Sequence, residues 1–340
     1  MPGIRPVAPA PLRRRPARRR TVLMTVGLGV AAATLPTATV IATAVPPGAT
    51  YQVSSPVMVP SAVTLASGLV FADEFNGAAG TRPNSRKWVY NTGNGSHGWG
   101  NGELETYTTT ASNASTDGGG NLAITARKVA AGTAGTCWYG PCRYTSARLM
   151  TYSRFSIKYG RLEARIKVPS GTGLWPAFWS LDTNNVAKSS DPAYAEMDIM
   201  EHVGNDPTHV YSSLHGRTSS ASMSACTQRT APGEERFGAR FHVFTVDWDS
   251  TKVTFSLDGV PFVTRHRTAF GAAWTFDQPL FLVLNLAVGG AWAGDPTSST
   301  AFPARMLVDY VRVYRTPSSA VAAKAPAPAT HAGGCDIAVV

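Results

Sequence analysis

Three carboxylic acids fall within one short segment, Ala195-Glu196-Met197-Asp198-Ile199-Met200-Glu201. In an extended strand, residues two apart share a face, so Glu196 and Asp198 point the same way. Glu201 stands three beyond Asp198 and would face away in a regular strand. One extra residue taken up in a β-bulge restores the phase, and Met200 is the natural candidate. All three carboxyls then line one surface, with Met197 and Ile199 in the core. Crowding and desolvation push such pKa values apart, so one carboxyl stays protonated beside an ionised neighbour. Glycosidic cleavage with retention requires that division, between two carboxyls about 5–5.5 Å apart. The plainer reading is the polar face of an edge strand. The flanking sequence argues against it: Gly171-Thr172-Gly173-Leu174-Trp175-Pro176-Ala177-Phe178-Trp179 sets two tryptophans just before the acids. Pyranose rings present C–H faces that stack on indoles. Trp99 and Trp292 sit in loops rich in Gly, Asn and Ala, where a wholly structural Trp is less expected than in a strand.

The elements that must position these residues read as β-strands. Arg161 to Val168 alternates polar and apolar, as a half-buried strand does. Asn121 to Arg127 alternates too. Thr251 to Leu257, the turn Asp258-Gly259, and Val260 to Arg265 form a hairpin pattern. Phe281 to Val288 is a continuous apolar run, expected of a strand covered on both faces. Met306 to Tyr314 resembles a closing strand. Long amphipathic helical patterns are absent. The fold class expected is all-β, a jelly-roll β-sandwich with a concave substrate-binding cleft.

The 340 residues carry a formal net charge of +10. Seven arginines and no acids lie in residues 1–44, which leaves +3 for the rest. That is no electrostatic footprint for nucleic acid. Residues 1–44 combine a basic start, an apolar stretch from Val22 to Ile41, and Ala42-Thr43-Ala44, the pattern of a secretory signal. Arg19-Arg20 also resembles a twin-arginine signal. Secretion to the extracellular space is therefore expected, without stable membrane association once the signal is removed. Residues 45–68 read as a flexible lead, 69–316 as the catalytic domain, and 317–340 as an Ala/Pro-rich tail. Cys137 and Cys142 bracket a turn-rich loop that a disulfide could close, whereas pairing of Cys226 with Cys335 stays open. No Cys-x-x-Cys pair supports a zinc site.

Several ordered blocks resemble glycoside hydrolase family 16, most closely its bacterial laminarinase (endo-1,3-β-glucanase) branch. Glu196-Met197-Asp198-Ile199-Met200-Glu201 matches the family's E-[ILV]-D-[IVAF]-x-E signature except for Met at the second position. The extra residue before the last Glu is the bulged form. The resemblance runs from about Phe71 to Tyr314. It includes Trp99-Gly100-Asn101-Gly102-Glu103-Leu104-Glu105, Tyr144 to Leu149, Tyr159 to Arg165, Asn285 to Gly290 and Val308 to Tyr314. It implies Glu196 as nucleophile, Glu201 as general acid/base, and Asp198 as a hydrogen-bonding partner that tunes the nucleophile. It also implies Asn101, Arg148, Trp175, Trp179, His215 and Trp292 as substrate-binding residues. No cofactor is implied for catalysis. A structural calcium is implied at Glu74, Gly120 and Asp309, largely through backbone oxygens.

Two stretches depart from the family pattern. Arg217-Thr218-Ser219-Ser220 stands where Pro-Gly-Tyr-Ser-Gly is usual, and Gly290-Ala291-Trp292-Ala293-Gly294 where Gly-x-Trp-Pro-Gly is usual. The expected partner is a β-glucan polysaccharide and the expected state a monomer. The rival readings are the same fold acting on galactan, agar or mixed-linkage glucan, and a non-catalytic β-glucan-binding protein. Retention of both glutamates weighs against the second.

Overall fold

In the computed structural model, residues 68–183 and 193–315 are described. The expected secretory signal, the lead up to residue 67, the tail and Cys335 lie outside the described residues. Two antiparallel-rich sheets dominate. The seven-stranded sheet runs, from one edge to the other, Ser222–Thr230, His209–Arg217, Tyr194–Glu201, Leu174–Asp182, Leu280–Val288, Arg148–Met150 and Val89–Tyr90. The ten-stranded sheet is built around Gly160–Lys167, Ala304–Tyr314 and Leu122–Lys128, and ends on the hairpin Lys252–Leu257/Val260–His266. Among the described residues helix is confined to short turns. This is the jelly-roll sandwich expected from the strand patterns.

The period-2 patterns explain which faces meet. Gly160–Lys167 buries every second residue, so Leu162, Ala164 and Ile166 enter the core while Arg161, Glu163 and Arg165 face outward. From the other sheet Phe178, Met197, Leu284 and Leu286 join the same cluster. All nine residues of Leu280–Val288 are buried. Its even-numbered side chains face the main core. Phe281 and Val283 on the reverse face join a smaller cluster with Met150 and Leu181. A strand covered on both sides has no reason to alternate, hence the unbroken apolar run. The hairpin turns at Asp258-Gly259, with φ of 50° and 78°, the positive-φ pair a tight two-residue turn demands.

Cys137 and Cys142 form a disulfide with Cα atoms 5.0 Å apart, inside the 4.4–6.8 Å range such bonds need.

Candidate active site

The acidic segment forms strand Tyr194–Glu201 in the middle of the seven-stranded sheet, not at an edge. Its phase shift is visible on both sides. Against the strand before it, Phe178 pairs with Met200 and Trp179 with Asp198, so Ile199 is passed over. Against the strand after it, Asp198 pairs with Ser213 and Glu201 with Tyr211, which leaves two residues facing one. The bulge thus occupies Ile199-Met200, the position expected. Both side chains are buried in the core with Met197. Glu196, Asp198 and Glu201 all line one cleft of about 460 Å³.

The strand Leu174–Asp182 supplies the neighbouring wall. Trp175, Ala177, Trp179 and Leu181, each two apart, face the cleft. The Trp175 indole N–H donates to Glu201 Oε1 at 3.0 Å. The Trp179 indole N–H donates to Asn285 Oδ1 at 2.7 Å. His215, paired across the sheet with Glu196, places Nε2 3.3 Å from Asp198 Oδ2. Its Nδ1 lies 3.1 Å from Ser224 Oγ. One atom each from Glu196, Asp198 and His215 lie within 4.8 Å of one another.

Burial sets the electrostatics. Desolvation, then repulsion from Asp198, pushes Glu196 up to about 8, against the opposing pull of His215 and Arg148. Desolvation likewise pushes Asp198 up to about 8. Glu201 is raised well above the carboxylate range, by desolvation and then by Asp198, although the Trp175 hydrogen bond opposes this. Three adjacent buried carboxyls cannot all ionise, so at least one holds its proton. A general acid beside an ionised nucleophile requires such a division.

A second group closes the cleft from the loop 97–103. Asn101 Nδ2 donates to Glu103 Oε1 at 2.9 Å, and Tyr107 OH donates to Glu103 Oε2 at 3.1 Å. Asn285 Nδ2 donates to the Tyr107 oxygen at 3.2 Å, which links this loop to Trp179. The Arg148 guanidinium lies between two indoles, 4.8 Å from the Trp99 ring and 4.7 Å from the Trp179 ring. The loop turns tightly. Trp99 itself has φ 58°, and a Cβ on Gly98 would meet the Glu103 backbone at 2.3 Å. Only glycine fits there. Trp99 Nε1 and Arg148 Nε are buried without a hydrogen-bond partner among the described residues.

Of the substrate-binding residues expected from sequence, Asn101, Arg148, Trp175, Trp179 and His215 line the cleft. Trp292 does not line it. It packs edge-on against Trp175, with ring centroids 5.2 Å apart, and against Tyr211 at 4.8 Å. In this arrangement it buttresses Trp175. Trp99, singled out from the sequence as a loop aromatic, also lines the cleft; lining residues not assigned from the sequence include Glu103, Tyr194, Arg217 and Asn285. Glu103 and Asn285 sat inside quoted blocks, but nothing in one sequence separates a cleft residue from its neighbours.

The expected calcium residues are engaged differently. Both Glu74 oxygens accept from Arg312, at 2.9 and 2.8 Å. Asp309 Oδ2 accepts from Arg165 at 2.6 Å. Those carboxylate oxygens are already neutralised by guanidinium, so the donor set fits a calcium only through backbone oxygens and Asp309 Oδ1.

The family Glycosyl hydrolases family 16 matches residues 102–312, a stretch that holds most of the cleft. The chain belongs to glycoside hydrolase family 16. It is 38% identical over 263 residues to a beta-glucanase of Rhodothermus marinus, covering 73% of this chain and 85% of that protein. It is 35% identical over 265 residues to glucan endo-1,3-beta-glucosidase A1 of Niallia circulans, covering 73% of this chain and 38% of that protein. Among solved structures, the laminarinase catalytic domain of Thermotoga maritima superposes with a TM-score of 0.65 at 39% identity, covering 73% of this chain and 98% of that one. The family 16 chain is thus a glycoside hydrolase, and its acidic cleft is the candidate centre for the reaction.

Proposed function

We propose that this glycoside hydrolase is a secreted endo-β-glucanase that cleaves β-1,3-glucan with retention of configuration. The observation that carries the reading is the bulge at Ile199-Met200, which brings Glu196, Asp198 and Glu201 to one tryptophan-walled cleft. In the first step the Glu196 carboxylate attacks the anomeric carbon while Glu201 delivers its proton to the departing glycosidic oxygen. The glycosyl–Glu196 ester forms as the C–O bond breaks. In the second step Glu201, now ionised, takes a proton from water, whose oxygen displaces Glu196. Asp198, whose Oδ2 lies 3.3 Å from His215 Nε2, hydrogen-bonds the nucleophile and steadies its charge. Trp175 keeps the Glu201 carboxyl in line.

The names of the relatives support a β-glucan substrate, and the 1–44 pattern supports export. The reading of the substrate is tested by product analysis on laminarin, lichenan, agarose and a β-1,3-galactan side by side. Laminarin should yield reducing ends fastest, with the β-anomer appearing first by NMR. Preference for another polymer would assign the same cleft to that polymer. Arg217 favours keeping this second reading in the test, because it lines the cleft where the family pattern differs. We also propose a calcium bound through backbone oxygens near Glu74, Gly120 and Asp309. Its test is a thermal melt with calcium against one with chelator, where a rise in Tm supports it and identical melts exclude it.

A further inference from the structure

We propose that Trp138, on the disulfide-closed loop Cys137–Cys142, is a sugar-stacking platform that extends the cleft by a distal subsite. This inference rests on the β-glucan reading of the site. Four large apolar side chains are exposed among the described residues, and Trp138, 48% exposed, is the aromatic one. Leu69 and Val70 lie at the start of the first strand, and Val260 lies at a hairpin turn. Trp138 also lies at a hairpin turn, between the paired strands Thr136–Cys137 and Gly140–Pro141, but its side chain, unlike that of Val260, is held there by a hydrogen bond.

Its orientation is fixed from three directions. The indole N–H donates to the Glu103 carbonyl at 2.8 Å, and its backbone N–H donates to Asn94 Oδ1 at 3.0 Å. The disulfide closes the loop on either side of it. The next residue, Tyr139, donates its hydroxyl to the Leu104 carbonyl at 2.6 Å and meets Trp138 edge-on at 5.6 Å. The polar edge is therefore satisfied while half of the ring surface meets solvent. An exposed Trp free to rotate would lose conformational entropy on binding; this one has already lost it.

Its position matters as much. Glu103, whose carbonyl holds the indole, also lines the cleft. Gly98, with no side chain, lets the indole sit against the same loop that carries Trp99 and Asn101. A Cβ there would lie 2.9 Å from Trp138 Nε1. The exposed His97 ring lies 6.3 Å from the Trp138 ring and widens the platform. Trp138 does not itself line the cleft; it stands one hydrogen bond beyond Glu103, which does.

The test is a ladder of β-1,3-linked gluco-oligosaccharides from trisaccharide to heptasaccharide. kcat/KM is measured for the wild-type protein, Trp138→Ala and Trp138→Phe. For Trp138→Ala we expect unchanged kcat/KM on the shortest cleaved substrate and a loss of about tenfold on the longest, the size of one well-packed aromatic contact. Trp138→Phe should recover much of that loss. Binding of the heptasaccharide to Glu196→Ala should weaken by a similar factor when Trp138→Ala is added. Equal loss at every length would mean a structural role and overturn the proposal, and so would no loss at any length. Failure of the wild-type protein to cleave any member would overturn the glucan reading itself.

Discussion

At the residue scale the chemistry turns on which carboxyl keeps its proton. Glu201 is raised well above the ordinary carboxylate range, mainly through desolvation. As pH climbs through its raised pKa the acid is lost, so kcat/KM should fall on the alkaline side. The Trp175 N–H favours ionised Glu201, so Trp175→Phe should move the alkaline limb of the kcat/KM profile to higher pH. An unmoved limb would mean that the limb reports another group. The same shift has a cost in stability. A carboxyl raised in the folded state binds protons that the unfolded chain, near the ordinary glutamate value of 4.5, releases. The unfolded state binds fewer protons above that pH, so stability falls as pH rises from about 5 toward neutrality. Glu201→Gln should therefore raise Tm at pH 7, and the gain should shrink on acidification toward pH 4.5, as seen by calorimetry. The two glutamates should also fail differently. Glu196→Ala should lose at least about 10³-fold in glucan cleavage, with azide giving an α-glycosyl azide. Glu201→Ala should retain the first step on an activated aryl glycoside, and azide should rescue it to the β-azide. The opposite pattern of products would reverse the roles.

At the element scale the decisive feature is one surplus residue. Glu201 shares a face with Glu196 only because Ile199-Met200 together oppose a single residue on the next strand. Removing Met200 turns the segment into a regular alternation in which all three acids stand two apart. The carboxyls then remain on one face without a bulge. Deletion of Met200 should consequently leave a folded protein with measurable cleavage, although Met200 is fully buried. Met200→Asp keeps the length but buries a fourth acid in the core, and should unfold the protein at neutral pH. Circular dichroism and reducing-sugar release distinguish the two outcomes. If the deletion were as damaging as the aspartate, the face-sharing argument would fail.

At the scale of the whole molecule, the cleft is built from segments far apart in sequence. The loop 97–103, the strand end at Arg148, the strands Leu174–Asp182, Tyr194–Glu201 and His209–Arg217, and Asn285 converge on one space. The Cys137–Cys142 disulfide closes a short loop beside it. Its removal by Cys137→Ser with Cys142→Ser should cost about 2 kcal/mol in the chain-entropy account, read as a lower denaturant midpoint with an unchanged slope. If Trp138 is a platform, the same variant should also lose affinity for long oligosaccharides more than for short ones.

The sequence alone determined the alternation that makes the strands, the three acids with their phase problem, and the bulge that solves it. These are local matters, since side-chain direction in a strand follows from residue count. It also showed two tryptophans, Trp175 and Trp179, just before the acids. Tertiary structure alone decided the rest. Trp292 follows the family spacing yet packs edge-on against Trp175 and Tyr211, because what a loop aromatic meets depends on the strands packed against it. Glu103, Tyr107 and Asn285 form one hydrogen-bonded chain although up to 182 positions separate them, and no local pattern encodes such a meeting. The arginines that occupy Glu74 and Asp309 come from strand register across the ten-stranded sheet. The raised pKa values needed burial depth, which a sequence does not carry: desolvation depends on every atom that excludes water, and those atoms come from the entire fold.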